Sequence, residues 1–289
     1  KKLIKKYLNH KNLICKHVFE NYEKPSNYDF MVKVPTLCKE ISEVPLKINL
    51  NAIPCPQAYR RLSKVSRHVK YDAYKAITGR LTTKPLSYPV LNLKKEYRAS
   101  IEPNNDVFVE LDFNASELRV FLALSGKEQP EIDIHDYNAK HVFKDESLSR
   151  EEIKKKTFSW LYNKKSVDFS LETCYNKNAF EELFLKDSFL ETFFKRKIKS
   201  SEDNNLNYIL QSTSSDLLLN QAIKINKRLK DTSSRVAFLV HDSLVLDMSM
   251  KDKSLLKELI HIFSDTALGK FKTNVSIGTN YGNLNRVEL

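Results

Sequence analysis

The sequence predicts an α+β fold built on an antiparallel sheet, and three patterns carry that expectation. Residues 107–112 alternate with period two, putting Val107, Val109 and Leu111 on one face and Phe108, Glu110 and Asp112 on the other. Two further apolar runs, 236–240 and 244–248, are separated only by His241-Asp242-Ser243, which reads as a hairpin with a tight turn. Stretches with helical spacing flank both.

Taken in chain order, residues 1–51 mix short apolar runs with Pro25, Pro35 and Pro45 and predict short helices and irregular links, with Pro54 and Pro56 marking a break. A basic helix is expected over 59–77, ending at Thr78-Gly79-Arg80-Leu81, where the glycine offers a turn. After the 107–112 strand, Asn114 is placed to cap a helix running through Leu118, Val120, Phe121 and Leu124 to a stop at Gly126. Helices follow around 136–143 and over 150–162. The interval 163–205 is polar and without clear period. A helix over 212–229, the hairpin, a helix over 254–268 and a strand near 275–277 complete the chain, and no internal repeat is present.

Composition narrows the function. With 289 residues, 41% of them hydrophobic, the chain can bury a real core. Its five glycines (79, 126, 269, 278 and 282) fit neither a GxGxxG nor a P-loop spacing, which excludes Rossmann-type and Walker-type phosphate cradles. The four cysteines (15, 38, 55 and 174) form no CxxC pair, so neither zinc nor a disulfide framework is expected. No apolar run approaches the roughly 20 residues of a membrane span, and no secretory pattern opens the sequence. The expectation is a chain without membrane association in the cytoplasm. The net charge of +12 is uneven: residues 1–80 hold 17 Lys and Arg against 6 Asp and Glu, and residues 81–289 hold 31 against 30. A basic arm on a neutral body suits a phosphate backbone; a lysine-rich solvated face is the alternative.

Two constellations carry chemistry. Asp112 at a strand end and Asp242 at a hairpin tip are a pair that adjacent strands can deliver to two hard divalent cations about 4 Å apart; aspartate is also common after strands and in turns. Arg150, Lys154, Phe158 and Tyr162 recur every four residues and form one oblique helical stripe running from cationic to aromatic. Such a stripe suits a triphosphate at one end and a sugar or base at the other. A plain amphipathic helix gives the same spacing.

Arg150-x3-Lys154-x3-Phe158-x3-Tyr162 resembles motif B of the family A DNA polymerases, the bacterial DNA polymerase I type. Leu111-Asp112-Phe113-Asn114-Ala115-Ser116-Glu117-Leu118-Arg119 resembles motif A and Val240-His241-Asp242 motif C. Thr78-Gly79-Arg80-Leu81, Asp133-Ile134-His135 and the run from Gln211 to Asp216 fall in the same order. The wording around Tyr208 to Thr213 and at His241-Asp242-Ser243 is most similar to phage-encoded branches, which implies a host-cell cytoplasm.

The resemblance implies a right-hand polymerase core: a small basic thumb-like N-terminal element over 1–77, an antiparallel palm over 78–149 and 206–289, and helical fingers over 150–205. It implies that Asp112 and Asp242 hold two magnesium ions with the Phe113 carbonyl. His135, Arg150 and Lys154 would grip the incoming dNTP, with Lys154 counted among the catalytic groups. Glu117 would exclude a ribose 2′-hydroxyl, Phe158 would lie against the sugar and Tyr162 would stack near the templating base. Thr78, Gly79, Arg80 and Gln211 would meet the primer-template end, and His241 the primer terminus. Asn114-x-x-Glu117 is also a capping-box pattern that needs no substrate.

Departures from the family pattern are specific. Ser243 replaces the acidic residue that follows His-Asp in bacterial members, so a third carboxylate near the metals is expected to be absent. Motif B has Thr157, Ser159 and Asn163 where Asn, Gly and Gly are usual, and Asn163 is expected to end the helix in a left-handed conformation. The segment between Tyr162 and Gln211 is shorter than in bacterial relatives, implying trimmed fingers. Residues 1–77 contain no Asp-x-Glu, so no proofreading nuclease is expected in this chain. The expected activity is template-directed DNA polymerisation by a monomer, on primer-template DNA and dNTPs. The alternatives are a single-subunit RNA polymerase-like nucleotidyltransferase, or a non-catalytic nucleic-acid-binding protein keeping the fold.

Overall fold

A computed structural model describes residues 2–145, 147–163, 165–201 and 203–288. Its centre is a five-stranded sheet, antiparallel throughout, formed by β1 (Val107–Phe113), β2 (Arg235–Val240), β3 (Ser243–Met248), β4 (Thr273–Gly278) and β5 (Asn285–Val287). The spatial order is β5-β4-β1-β3-β2, so the 107–113 strand is central and the hairpin forms one edge. Val109, Leu111 and Phe113 are buried, as their alternation requires, and Phe108 is buried on the other face.

The described residues also form ten α-helices: α1 (Lys2–Asn21), α2 (Tyr28–Glu43), α3 (Pro56–Leu62), α4 (Ser116–Leu124), α5 (Ile134–Tyr137), α6 (Arg150–Tyr162), α7 (Phe169–Tyr175), α8 (Lys177–Glu182), α9 (Asn205–Arg228) and α10 (Leu256–Ser264). Helix α9 packs against α2, α4, α8 and α10. It is buried nearly all round, which explains its weak amphipathic pattern. Its run Ser212-Thr213-Ser214-Ser215 is small enough to let α4 approach until the Ser116 and Ser214 hydroxyls hydrogen-bond.

The N-terminal quarter departs from expectation. Instead of short helices, α1 is a single 20-residue helix with no buried residue, and α2 runs through Pro35. Proline cannot donate to the carbonyl of Met31, and the Tyr74 hydroxyl donates to it instead (3.4 Å). The helix expected over 59–77 stops at Leu62. Beyond it, Val69, Tyr71 and Ala73 are buried while Lys70 and Asp72 are not, and Tyr71–Asp72 pairs with Thr82–Thr83. That is a strand's period of two, and burial of Tyr71 decides it. The phenol donates to the Leu239 carbonyl (2.6 Å) and accepts from the Leu239 N–H (2.8 Å), closing the exposed edge of β2.

Smaller corrections follow the same logic. The helix after the 133–135 segment turns π-helical over Asn138–Phe143. The described residues of 163–205 form α7, α8 and a three-stranded antiparallel patch of Leu185–Lys186, Phe189–Glu191 and Lys197–Lys199. Asn163 ends α6 with φ −102° and ψ 109°, an extended rather than a left-handed conformation.

Candidate active site

Adjacent strands deliver the two aspartates. Asp112 on β1 is in register with Ser243, the residue after Asp242, and with Asn274 on β4. The hairpin tip is a two-residue turn of His241 and Asp242, with His241 exposed and left-handed at φ +52°. Asn274 donates to Asp112 Oδ2 (3.2 Å) and itself accepts from Arg286 (2.7 Å). Burial, reinforced by the nearby charges of Glu110 and Asp242, pushes the Asp112 carboxyl up to about 7.

Comparison with Asp247 on the same hairpin is informative. That carboxylate is fully buried but pairs with Arg235 (2.9 Å) and accepts the backbone N–H groups of Asn104 and Asn105, so it is structurally satisfied. Asp112 has no such counter-ion among the described residues. A buried carboxyl facing like charges marks a functional position better than one locked in an ion pair.

Glu117 projects from the first turn of α4, its side chain only 12% exposed. Arg80 Nη2 lies 3.7 Å from Glu117 Oε1 and 3.6 Å from Asp242 Oδ1, so one guanidinium serves both carboxylates. Burial, with the charge of Asp242, pushes Glu117 up to about 7. The capping-box alternative for Glu117 is overturned: the N-cap is Ala115, left-handed at φ +50°, with no side-chain cap. Asn114 is drawn away because its amide donates to Asp133 Oδ2 (2.7 Å) and accepts from Ile134 N and Arg119 Nη2 (3.1 Å each).

Arg80 is held from behind. Thr78 donates to Gln211 Oε1 (2.8 Å), joining the 78–81 segment to α9. Gly79, buried at φ +76°, lies against the Arg196 guanidinium, where a Cβ would overlap it. Arg196 in turn makes a two-pronged pair with the buried Asp216 (2.7 and 3.1 Å). Arg196 does not belong to any sequence pattern noted above; its role is visible only in three dimensions.

Helix α6 starts on a capping box between Ser149 and Glu152. Its buried face is Ile153, Thr157, Trp160 and Leu161, leaving the 150–154–158–162 stripe outward. Phe158 and Tyr162 stack (5.9 Å, 11°), and the Phe158 ring lies 6.0 Å from that of His135. His135 is 2% exposed, and its Nδ1 has no hydrogen-bond partner. Burial first, then the cations Arg150 and Lys154, hold its pKa down against the opposing pull of Asp133. Arg150 Nη2 donates to Asp133 Oδ2 (2.8 Å), and that carboxyl is held down at about 2 by Arg150, Asn114 and the His135 N–H against the opposing effect of burial. Phe113 closes β1 with its ring stacked on Phe263 and edge-on to Phe271, which fixes the strand end.

No protein-family model and no curated protein matches this chain. Among solved structures it is similar to the POL domain of Pol1 from M. smegmatis in complex with DNA primer-template and dNTP, with a TM-score of 0.61 and 16% sequence identity over 78% of this chain and 52% of that one. The fold is that of a DNA polymerase domain. This polymerase-like chain spans about half the length of that neighbour.

The predicted residues therefore gather in two groups within the polymerase fold. Asp112, Asp242, Glu117 and Arg80 form one; His135, Arg150, Lys154, Phe158 and Tyr162 form the other, and Asn114 and Asp133 tie them together. The donor set of the first group suits hard divalent cations: carboxylate oxygens only, with two of the carboxyls lifted to about 7 by burial and, to a lesser degree, by neighbouring negative charge. No set of three or more His, Cys, Asp or Glu forms a ready-made cage among the described residues. Magnesium does not require one, since it keeps several waters and takes oxygens from substrate phosphates. Asp133, Asn274, Arg196 and Glu110 are the participants that sequence reasoning did not assign a role. For Glu110 a signal was present: it shares the Asp112 face of the strand.

Proposed function

We propose that this chain is the core of a family A, phage-type DNA polymerase that adds dNTPs to a primer 3′ end under template direction, releasing pyrophosphate. The observation that carries this reading is the convergence of Asp112, at the end of β1, and Asp242, in the turn that leads into the adjacent antiparallel β3, beside Glu117 within a polymerase-domain fold. Asp112, Asp242 and the Phe113 carbonyl would hold two magnesium ions. When bound, such ions lower the pKa of the primer 3′-hydroxyl and neutralise charge on the triphosphate.

The chain's own groups do the positioning. Arg150 and Lys154, with His135 behind them, receive the triphosphate; Phe158 lies against the sugar and Tyr162 beside the templating base. Glu117, walled in by α4 and Arg80, crowds a 2′-hydroxyl. Thr78, Gly79, Arg80 and Gln211 face the primer-template end, and the exposed His241 the primer terminus. In this reading residues 78–149 and 206–289 are the palm, 150–205 the fingers and 1–77 a thumb-like element whose exposed α1 carries five lysines and one glutamate. Its protein would act as a monomer in the host-cell cytoplasm. No helix among the described residues is long and apolar enough to cross a membrane.

The test is extension of a primer on a template of mixed sequence with Mg²⁺, reading the product sequence. Products complementary to the template support the reading. Template-independent tailing, or no extension by a folded chain that binds the DNA, contradicts it.

A further inference from the structure

Position 243, an acid in the bacterial family members the chain resembles, holds a serine, and that serine contacts a carboxylate on β1. Ser243 is 5% exposed, and its hydroxyl lies 3.0 Å from Glu110 Oε1 and 3.0 Å from the Val240 carbonyl. Glu110 stands two residues before Asp112 on β1, on the same face, and Ser243 is directly opposite Asp112. Ser243 thus contacts a carboxylate of the neighbouring strand rather than supplying one itself.

Its surroundings are unusual for a structural acid. Among the described residues Glu110 makes no ion pair, and the Ser243 hydroxyl is its one hydrogen-bond partner. The Arg98 guanidinium acts on Glu110 from beyond ion-pair distance, so a partly buried carboxylate beside Asp112 keeps a free-energy cost that a closer cation relieves. We propose that Glu110 is a positioning residue of the proposed divalent-cation site, aimed by Ser243 and accepting a hydrogen bond from a cation-bound water. Magnesium favours such water-mediated anchoring, and carboxylates outside the direct ligand set tune metal affinity. The inference rests on the polymerase reading of Asp112 and Asp242.

Manganese binding to the full chain, without DNA or nucleotide, tests it by paramagnetic resonance of the free ion. Glu110→Gln keeps the acceptor for Ser243 and removes only the charge, so a mere tie between β1 and β3 predicts no change. The proposal predicts affinity weakened about tenfold. The double variant Glu110→Ser/Ser243→Glu, which moves the carboxylate to the other strand, should return to within about threefold of the unaltered chain. Unchanged affinity in Glu110→Gln while Asp112→Asn loses binding overturns the proposal and leaves the polymerase reading standing. Failure of the double variant to recover, once thermal unfolding shows it folded, also overturns it. Undiminished binding by Asp112→Asn overturns the polymerase reading, and this inference with it.

Discussion

Arg150 Nη2 meets Asp133 Oδ2 at 2.8 Å, so the first residue of α6 is tied to the residue that caps α5. The tie partly neutralises a cation that the proposed function assigns to a triphosphate. Asp133→Asn keeps an acceptor but removes the charge. It should strengthen binding of inorganic tripolyphosphate severalfold by calorimetry, whereas Arg150→Ala should weaken it about tenfold. Weaker binding by Asp133→Asn would mean that Asp133 matters by aiming Arg150 rather than by opposing the ligand.

Under the proposed function, proton and cation compete for Asp112. Asp112 and Glu117, raised to about 7 from 3.8 and 4.5, hold protons in the fold that the unfolded chain has released. Stability of the metal-free protein therefore falls as pH rises from about 4 to about 7 and stays low above that. Asp112→Asn should be more stable to urea unfolding than the unaltered chain at pH 8 without metal, by up to about 4 kcal/mol, and match it near pH 4. Mg²⁺ should raise the melting temperature of the unaltered chain more at pH 8 than at pH 6. Equal stabilisation at both pH values would contradict the coupling.

Tyr71 closes the edge of the sheet through one hydroxyl. Tyr71→Phe leaves the N–H and C=O of Leu239 without that partner, and should cost about 1–3 kcal/mol in urea unfolding. A loss below about 0.5 kcal/mol would show that water replaces the phenol.

Gly79 cannot become Ala without moving Arg196 off Asp216, and its φ of +76° adds strain. Gly79→Ala should lower primer-template affinity through Thr78 and Arg80, while Arg196→Lys, losing the two-pronged geometry, should reproduce part of the loss. Normal DNA affinity in both variants would detach this pair from the site.

The proposed function assigns sugar selection to Glu117 and Phe158. Glu117→Ala should raise rNTP incorporation relative to dNTP by orders of magnitude, and Phe158→Tyr should improve use of dideoxynucleotides by supplying the hydroxyl that they lack. Equal use of rNTP and dNTP by the unaltered chain, or its efficient termination by dideoxynucleotides, would remove these assignments.

What the sequence conveyed depended on how local each signal is. The 107–112 alternation, the 236–248 hairpin and the α6 stripe are set by side chains a few residues apart, and each folds as its spacing requires. Val69, Tyr71 and Ala73 carry an equally local period of two, but it is short and sits among lysines that also fit a helix. Asn114 looks like a cap, and only Asp133, 19 residues away, explains why it is not. Pro35 within α2 is tolerated because Tyr74 comes back to Met31, a partnership 43 residues long. Glu110 with Ser243 is 133 residues apart, and no nearest-neighbour rule reads that contact.

The central claim is that Asp112 and Asp242 together support nucleotidyl transfer. Single-turnover addition of one complementary dNTP to a primer-template with Mg²⁺ tests it most directly, comparing the unaltered chain with Asp112→Asn and Asp242→Asn. The account predicts addition by the unaltered chain and a loss of about a thousandfold in rate in each variant, with primer-template binding retained. Addition by either variant at the unaltered rate, or none by an unaltered chain that folds and binds the DNA, would contradict it.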